Sequence, residues 1–343
     1  MIKLQLSQWW LLGLSLTAGV AIAEPLGVLV DGQRIPVVDM HIHVGQWAMI
    51  PPRAQQRNLE RLPRPVRPYV TPLFEELLSA RGIVRELDRG DINLGVLFAS
   101  FFPHTAGIAD NGYVAEQVRQ NPQRLIALAS LRVDQWNRDA GPQLAELERA
   151  LTQDGMIGIK LAPAHAQTRL DDERLDAIYQ LAARLQKPLY LHTGTSPFPG
   201  TRQEPPYVNP AYLESAIARF PGAVFVLGHA GYDTANHTLG FIEDCIRLVQ
   251  TYPNVHIEMG ALGSPRADEL TAIAIKRFRE AGILDRVLYG SDGPQGPGYV
   301  RKHLQRTLAA MTAAGYTLAE MRAVLSGNFL RVFAVPALAT NRD

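Results

Sequence analysis

A single cysteine, Cys245, in 343 residues excludes an internal disulfide and leaves no set of thiolates to hold a metal. Any bound ion must therefore rest on histidine and carboxylate. Neither sign of charge is in excess: 34 basic and 33 acidic residues leave a formal net charge of +1, which argues against a nucleic-acid-binding chain. With 47% hydrophobic and 20% charged residues, the composition is that of a folded globular chain and not a disordered one. No internal repeat or low-complexity tract stands out. The apolar run at the start, Leu11 to Ala23, falls short of the ~20 residues that span a bilayer comfortably.

That run has another reading. Lys3 precedes it, and it ends Ala21-Ile22-Ala23 before Glu24-Pro25. A basic start, a short apolar stretch and a small-x-small ending describe a secretory signal peptide, with an uncleaved anchor as the alternative. The expectation is a leader over 1–23, cleaved after Ala23, and a single domain over 24–343 exported to the periplasm or the medium. No stable membrane association is expected after cleavage. The partner expected is a small-molecule substrate, and the composition is compatible with a homo-oligomer.

From Val37 onward, short apolar runs alternate with segments of helical period. The runs are 37–43, 94–98, 125–128, 156–161, 188–192, 223–229, 255–259 and 286–290. Near-continuous apolar strands separated by amphipathic helices indicate a parallel sheet covered on both faces, and eight such units indicate an α/β fold of the (β/α)8 TIM-barrel type. Two connections exceed what a barrel needs, 44–93 and 193–210. Both follow strand C-termini, so both are expected to cover the pocket and shape it. The first opens with prolines and arginines between Pro51 and Pro72, expected to be stiff but without regular structure. Its arginines read as solvated surface, with one held in reserve for a carboxylate.

The first strand, Val37-Val38-Asp39-Met40-His41-Ile42-His43, alternates polar and apolar residues. Strict alternation puts Asp39, His41 and His43 on one face and Val38, Met40 and Ile42 on the other. Two imidazoles on one face suit one metal ion, although a hydrogen-bonded pair in a polar pocket is the simpler reading of the motif alone. The barrel changes that balance. His192 ends the fifth strand, His229 ends the sixth, and Asp292 follows the eighth in Tyr289-Gly290-Ser291-Asp292. All strand C-termini of this fold open on one mouth, so His41, His43, His192, His229 and Asp292 are expected to converge on a metal site there.

In these segments the chain resembles the amidohydrolase superfamily, in its amidohydrolase-2 branch. The resemblance rests on Asp39-Met40-His41-Ile42-His43, Gly158-Ile159-Lys160-Leu161, Leu191-His192, Gly228-His229-Ala230-Gly231 and Gly290-Ser291-Asp292. It implies a divalent metal, commonly zinc, on His41, His43, His192 and Asp292, with His229 an active-site residue near the substrate. By ligand type alone Mn, Fe, Co or Ni would also suit. Asp292 is then the general base toward a metal-activated water, and His229 polarises a carbonyl or protonates a leaving group. Asp39 either orients a ligand histidine or ties the barrel floor.

Lys160 in an apolar strand must be paired or modified. It either pairs with Asp292 or the substrate, or is carbamylated as in some superfamily members, in which case two ions replace one and His229 becomes a ligand of the second. His104 and His165 are substrate-contact candidates with a surface alternative; Ala162 stands where the family often has histidine after the Lys-Leu pair. Glu258 lines the mouth or makes a salt bridge within it. His237, His256 and His303 read as structural or exposed.

The function expected from this resemblance is a secreted metal-dependent hydrolase acting on an amide, ester or lactone-like bond. The alternative is a metal-dependent non-oxidative decarboxylase of an aromatic or unsaturated carboxylic acid, and the third reading is a barrel that binds metal or ligand without turnover.

Overall fold

The computed structural model describes residues 26–60, 62–262 and 268–336. The expected leader, residues 1–23, lies outside the described residues. The eight apolar runs form strands β1 (Val38–His43), β2 (Leu94–Phe98), β3 (Leu125–Ala129), β4 (Gly158–Leu161), β5 (Leu189–His192), β6 (Phe225–Gly228), β7 (Val255–Glu258) and β8 (Val287–Leu288). Each pairs in parallel with the next, so spatial order follows sequence order. The ring closes where the chain at and after β8 meets β1. The Met40 amide donates to the Tyr289 carbonyl at 3.2 Å, the His43 amide to Gly293 at 2.7 Å, and the Gly293 amide to His41 at 3.3 Å. The fold is a (β/α)8 barrel.

Two apolar layers explain why the strands are so hydrophobic. Leu97, Ile159, Leu191, Leu227 and Ile257 pack outward under the helices. Val38, Met40, Val96, Phe98, Leu128 and Val226 fill the inside. With both faces buried, neither side of a strand has polar positions to spare except near the mouth.

β1 departs from strict alternation. Its register against β2 shifts between Asp39 and Ile42. Val38 and Met40 therefore point into the barrel with Phe98, while Ile42 packs outside. The irregularity lets His41 also face inward, its ring 4.5 Å from that of Phe98. Asp39 is turned to the β1/β8 seam, where Oδ1 accepts the Ser291 amide at 2.8 Å and the His41 amide at 3.2 Å. Period-two reasoning cannot foresee such a shift, because one extra residue reverses the parity of everything beyond it.

The connection after β1 is more ordered than its prolines suggested. It contains helices Pro52–Glu60, Val70–Leu77 and Ala80–Arg89 and a 3₁₀ segment Arg64–Tyr69. Pro52 opens its helix and Pro65 lies in the first turn of the 3₁₀ segment, where no amide partner is required of either. After β2 a short hairpin, Ser100–Phe102 with Gly107–Ala109, adds a second wall that the sequence reading did not anticipate.

Candidate metal centre and pocket

His41 is the anchor of the site. It is fully buried, and its Nδ1–H donates to the Tyr190 hydroxyl at 3.0 Å, which in turn donates to Glu258 Oε2 at 2.8 Å. Glu258 Oε2 also accepts the His229 backbone amide at 3.1 Å and lies 3.4 Å from His41 Nδ1. This chain fixes the proton on Nδ1 and leaves the Nε2 lone pair facing the mouth. His229 is oriented the same way, its Nδ1–H donating to the Gly260 carbonyl at 3.1 Å. Space for the relay comes from Gly228, where a Cβ would lie 2.1 Å from the Tyr190 hydroxyl.

Asp292 meets these imidazoles. Its Oδ1 lies 3.2 Å from His41 Nε2 and 3.0 Å from His43 Nε2. One ligand atom each from His41, His229 and Asp292 lies within 4.8 Å of the others, a spacing that suits one ion. His43 flanks the group at the open rim. His192 flanks it from β5, its ring 4.3 Å from that of His229. Backbone strain concentrates here too: His229 and Asp292 both adopt left-handed backbone, φ 60° and 59°. Strained non-glycine positions persist where the surroundings over-determine them, which is common at functional sites.

The donor set fits a divalent cation. Among the described residues, the buried Nε2 atoms of His41 and His192 have no hydrogen-bond partner. A lone pair on His41 facing a carboxylate oxygen at 3.2 Å is repulsive unless a cation or proton intervenes. Edges of about 3.4 Å between donors are what tetrahedral coordination at 2.0–2.2 Å produces. Burial pushes the imidazoles of His41 and His192 well below the ordinary range and lowers His229, so all three are in the neutral, ligating form. Burial raises the Asp292 carboxyl, but the positive charge that His41, His43 and His229 can carry and the His43 hydrogen bond outweigh it and pull the group below the usual carboxylate range.

The cluster forms the floor of a cavity of about 1190 Å³. Trp47, Phe74, Phe102 and Phe198 contribute aromatic wall, and Arg57 reaches it from the long connection after β1. Lys160 is buried at the floor, its ammonium lowered to about 7 by burial against the opposing pull of Asp292 and Glu258. His165 is buried rather than on the surface: it lines the cavity, its Nδ1 is 2.7 Å from Thr105 Oγ1, and burial pushes it to about 3. His104 is elsewhere, 57% exposed and 3.7 Å from Asp134. Glu258, rather than Asp39, touches a ring of the cluster, while Asp39 ties backbone and is raised to about 7 by burial. Tyr190 was not singled out from sequence; its one signal is a hydroxyl two residues before His192 on an otherwise apolar strand.

A barrel closed over imidazoles and a carboxylate defines a metal-dependent enzyme. The amidohydrolase family model, of the amidohydrolase-2 type, matches residues 38–335, and the chain belongs to that family. A curated relative is the decarboxylase orsB of Emericella nidulans, 24% identical over 283 residues, covering 79% of this chain and 74% of that protein. Among solved structures, a probable 2-pyrone-4,6-dicarboxylic acid hydrolase from Acinetobacter baumannii, with citric acid bound, is similar with a TM-score of 0.60 at 17% identity, over 88% of this chain and 100% of that one. A dihydroxybenzoic acid decarboxylase from Polaromonas sp. JS666, with bound manganese and the inhibitor 2-nitroresorcinol, has the same TM-score of 0.60 at 16% identity, over 88% and 97%.

Proposed function

We propose that this protein is a metal-dependent, non-oxidative decarboxylase of a small aromatic carboxylic acid. The observation that carries the choice over hydrolysis is the match to a curated decarboxylase across most of the chain. The pocket is consistent with it. An apolar, aromatic cavity suits a ring, Lys160 and Arg57 suit its anionic groups, and Asp292 at the floor suits proton delivery.

His41, His43, His192 and Asp292 would hold the ion, with His229 beside them. Zinc suits this donor set, and the manganese-bound decarboxylase of the same fold supports manganese. When bound, the cation supplies positive charge that orients the carboxylate and withdraws electron density from the ring. Loss of CO₂ leaves the C–C electron pair on the ring carbon, which must receive one proton. Asp292, ionised at rest, takes one proton from solvent water and delivers it to that carbon, and the hydroxide left behind is consumed by the released CO₂ as bicarbonate. His229, its Nδ1–H held by the Gly260 carbonyl, keeps its Nε2 free toward the cluster. The leader expected at 1–23 would make this an exported enzyme.

The test is product analysis. Metal-loaded protein incubated with hydroxybenzoic acids in D₂O should release CO₂ and place one deuterium at the vacated ring carbon. The second reading, hydrolysis with Asp292 as base toward a metal-activated water, is favoured by the hydrolase of the same fold. It predicts ¹⁸O from labelled water in a new carboxylate and no CO₂.

A further inference from the structure

Lys160 is 1% exposed, and among the described residues no carboxylate lies within ion-pair distance of its ammonium. It stands directly opposite Tyr190 in the β4–β5 register, and Ser130 Oγ pins its carbonyl at 2.8 Å. Its Nζ sits 3.9 Å from the Tyr190 ring centroid and 4.7 Å from that of Phe98. Both rings present their faces, where the π electrons favour a cation and repel an anion. The same lysine lines the cavity next to the imidazole cluster.

We propose that Lys160 is an unmodified ammonium that receives an anionic oxygen of the substrate, a carboxylate or a phenolate, and not a metal-bridging carbamate. The proposal deepens the aromatic-acid reading above and rests on it. Two ring faces hold the ammonium at the floor with no carboxylate paired to it; burial lowers it to about 7, and an anion entering the cavity would hold it in the charged form. A carbamate would place negative charge against the same two faces. No second carboxylate oxygen then joins the metal cluster from β4, and the centre holds one ion. The substrate this selects carries an anionic oxygen that reaches past the metal donors to β4.

The experiment is calorimetric titration of the metal-loaded full chain with benzoate, phenol and 2-hydroxybenzoate, beside Lys160→Met, whose unbranched stem keeps the packing against Phe98 and Tyr190. The variant should retain its metal and bind 2-hydroxybenzoate about tenfold or more weakly, the loss of a charge-assisted hydrogen bond. An equal loss for benzoate assigns the oxygen to the carboxylate. A loss confined to 2-hydroxybenzoate assigns it to the phenolate, and both outcomes support the proposal. Equal affinities in the two proteins overturn the role of Lys160 and leave the decarboxylase reading standing. If the wild type binds none of the three, the aromatic-acid reading fails and the proposal with it. Should the variant not fold, the wild type decides alone. After equilibration with ¹³C-bicarbonate, a carbamate resonance and two ions per chain overturn the proposal; no such resonance and one ion support it.

Discussion

His41 and Glu258 come from opposite ends of the barrel sequence and meet 3.4 Å apart, with the Tyr190 hydroxyl bridging them. The carboxylate thereby decides which nitrogen of His41 is free to bind a cation. Glu258→Gln should leave the fold intact and weaken metal affinity by about 10- to 100-fold, as loss of a ligand's supporting partner commonly does. Competition against a chromophoric chelator measures it; unchanged affinity would remove Glu258 from the account.

Gly228 serves the same relay by lacking a side chain. Gly228→Ala puts a methyl 2.1 Å from the Tyr190 hydroxyl and should cost about 1–3 kcal/mol in denaturant unfolding. The ring itself would be as close, 2.2 Å at Cζ and 2.6 Å at Cε1, so removing only the hydroxyl, in Gly228→Ala with Tyr190→Phe, should restore little of that stability. A Gly228→Ala variant as stable as wild type would show that the relay does not depend on the missing side chain.

Asp292→Asn keeps the size of the side chain and removes both its charge and its capacity to carry a proton. Turnover should fall by about 10²–10⁴, the usual contribution of a positioned acid–base group, and more if the metal is also lost. Activity and metal content measured on the same sample separate the two effects. Activity within a few-fold of wild type would contradict the role given to this residue.

The barrel and the convergence of its histidines were legible in the sequence, because both depend on coarse features: eight apolar runs and polar residues at their C-terminal ends. The parity of β1 was not, since the register shift between Asp39 and Ile42 is set by packing against β2 and β8. For His165 the sequence left pocket and surface both open, because its loop is small and mixed; Phe102, brought close by the hairpin after β2, covers it with a ring 4.8 Å away and leaves it lining the cavity. Glu258 stood at the end of an apolar strand, but its partners His41 and Tyr190 come from β1 and β5. Only the closed ring brings them together.

Acid should destabilise the fold before most carboxylates titrate. His303 is fully buried, its Nδ1 3.1 Å from the Tyr289 hydroxyl, and burial pushes it to about 4. The unfolded chain binds this proton below the ordinary histidine value of about 6.5, and the folded chain does not until about 4. Its contribution to stability is therefore complete above about 6.5, declines as pH falls toward 4, and levels off below. The full loss is about 3 kcal/mol for this group. Urea midpoints across this window should fall steeply in wild type and less steeply in His303→Gln. Parallel slopes would mean that His303 protonates without unfolding.

If the imidazoles of His41, His43 and His192 share one cation with the Asp292 carboxylate, elemental analysis of the purified chain will find it. About one transition-metal ion per chain is expected, largely lost in His192→Ala, with activity that disappears on chelation and returns with zinc or manganese. A protein that carries no metal after supplementation, or turns over fully after chelation, would contradict it.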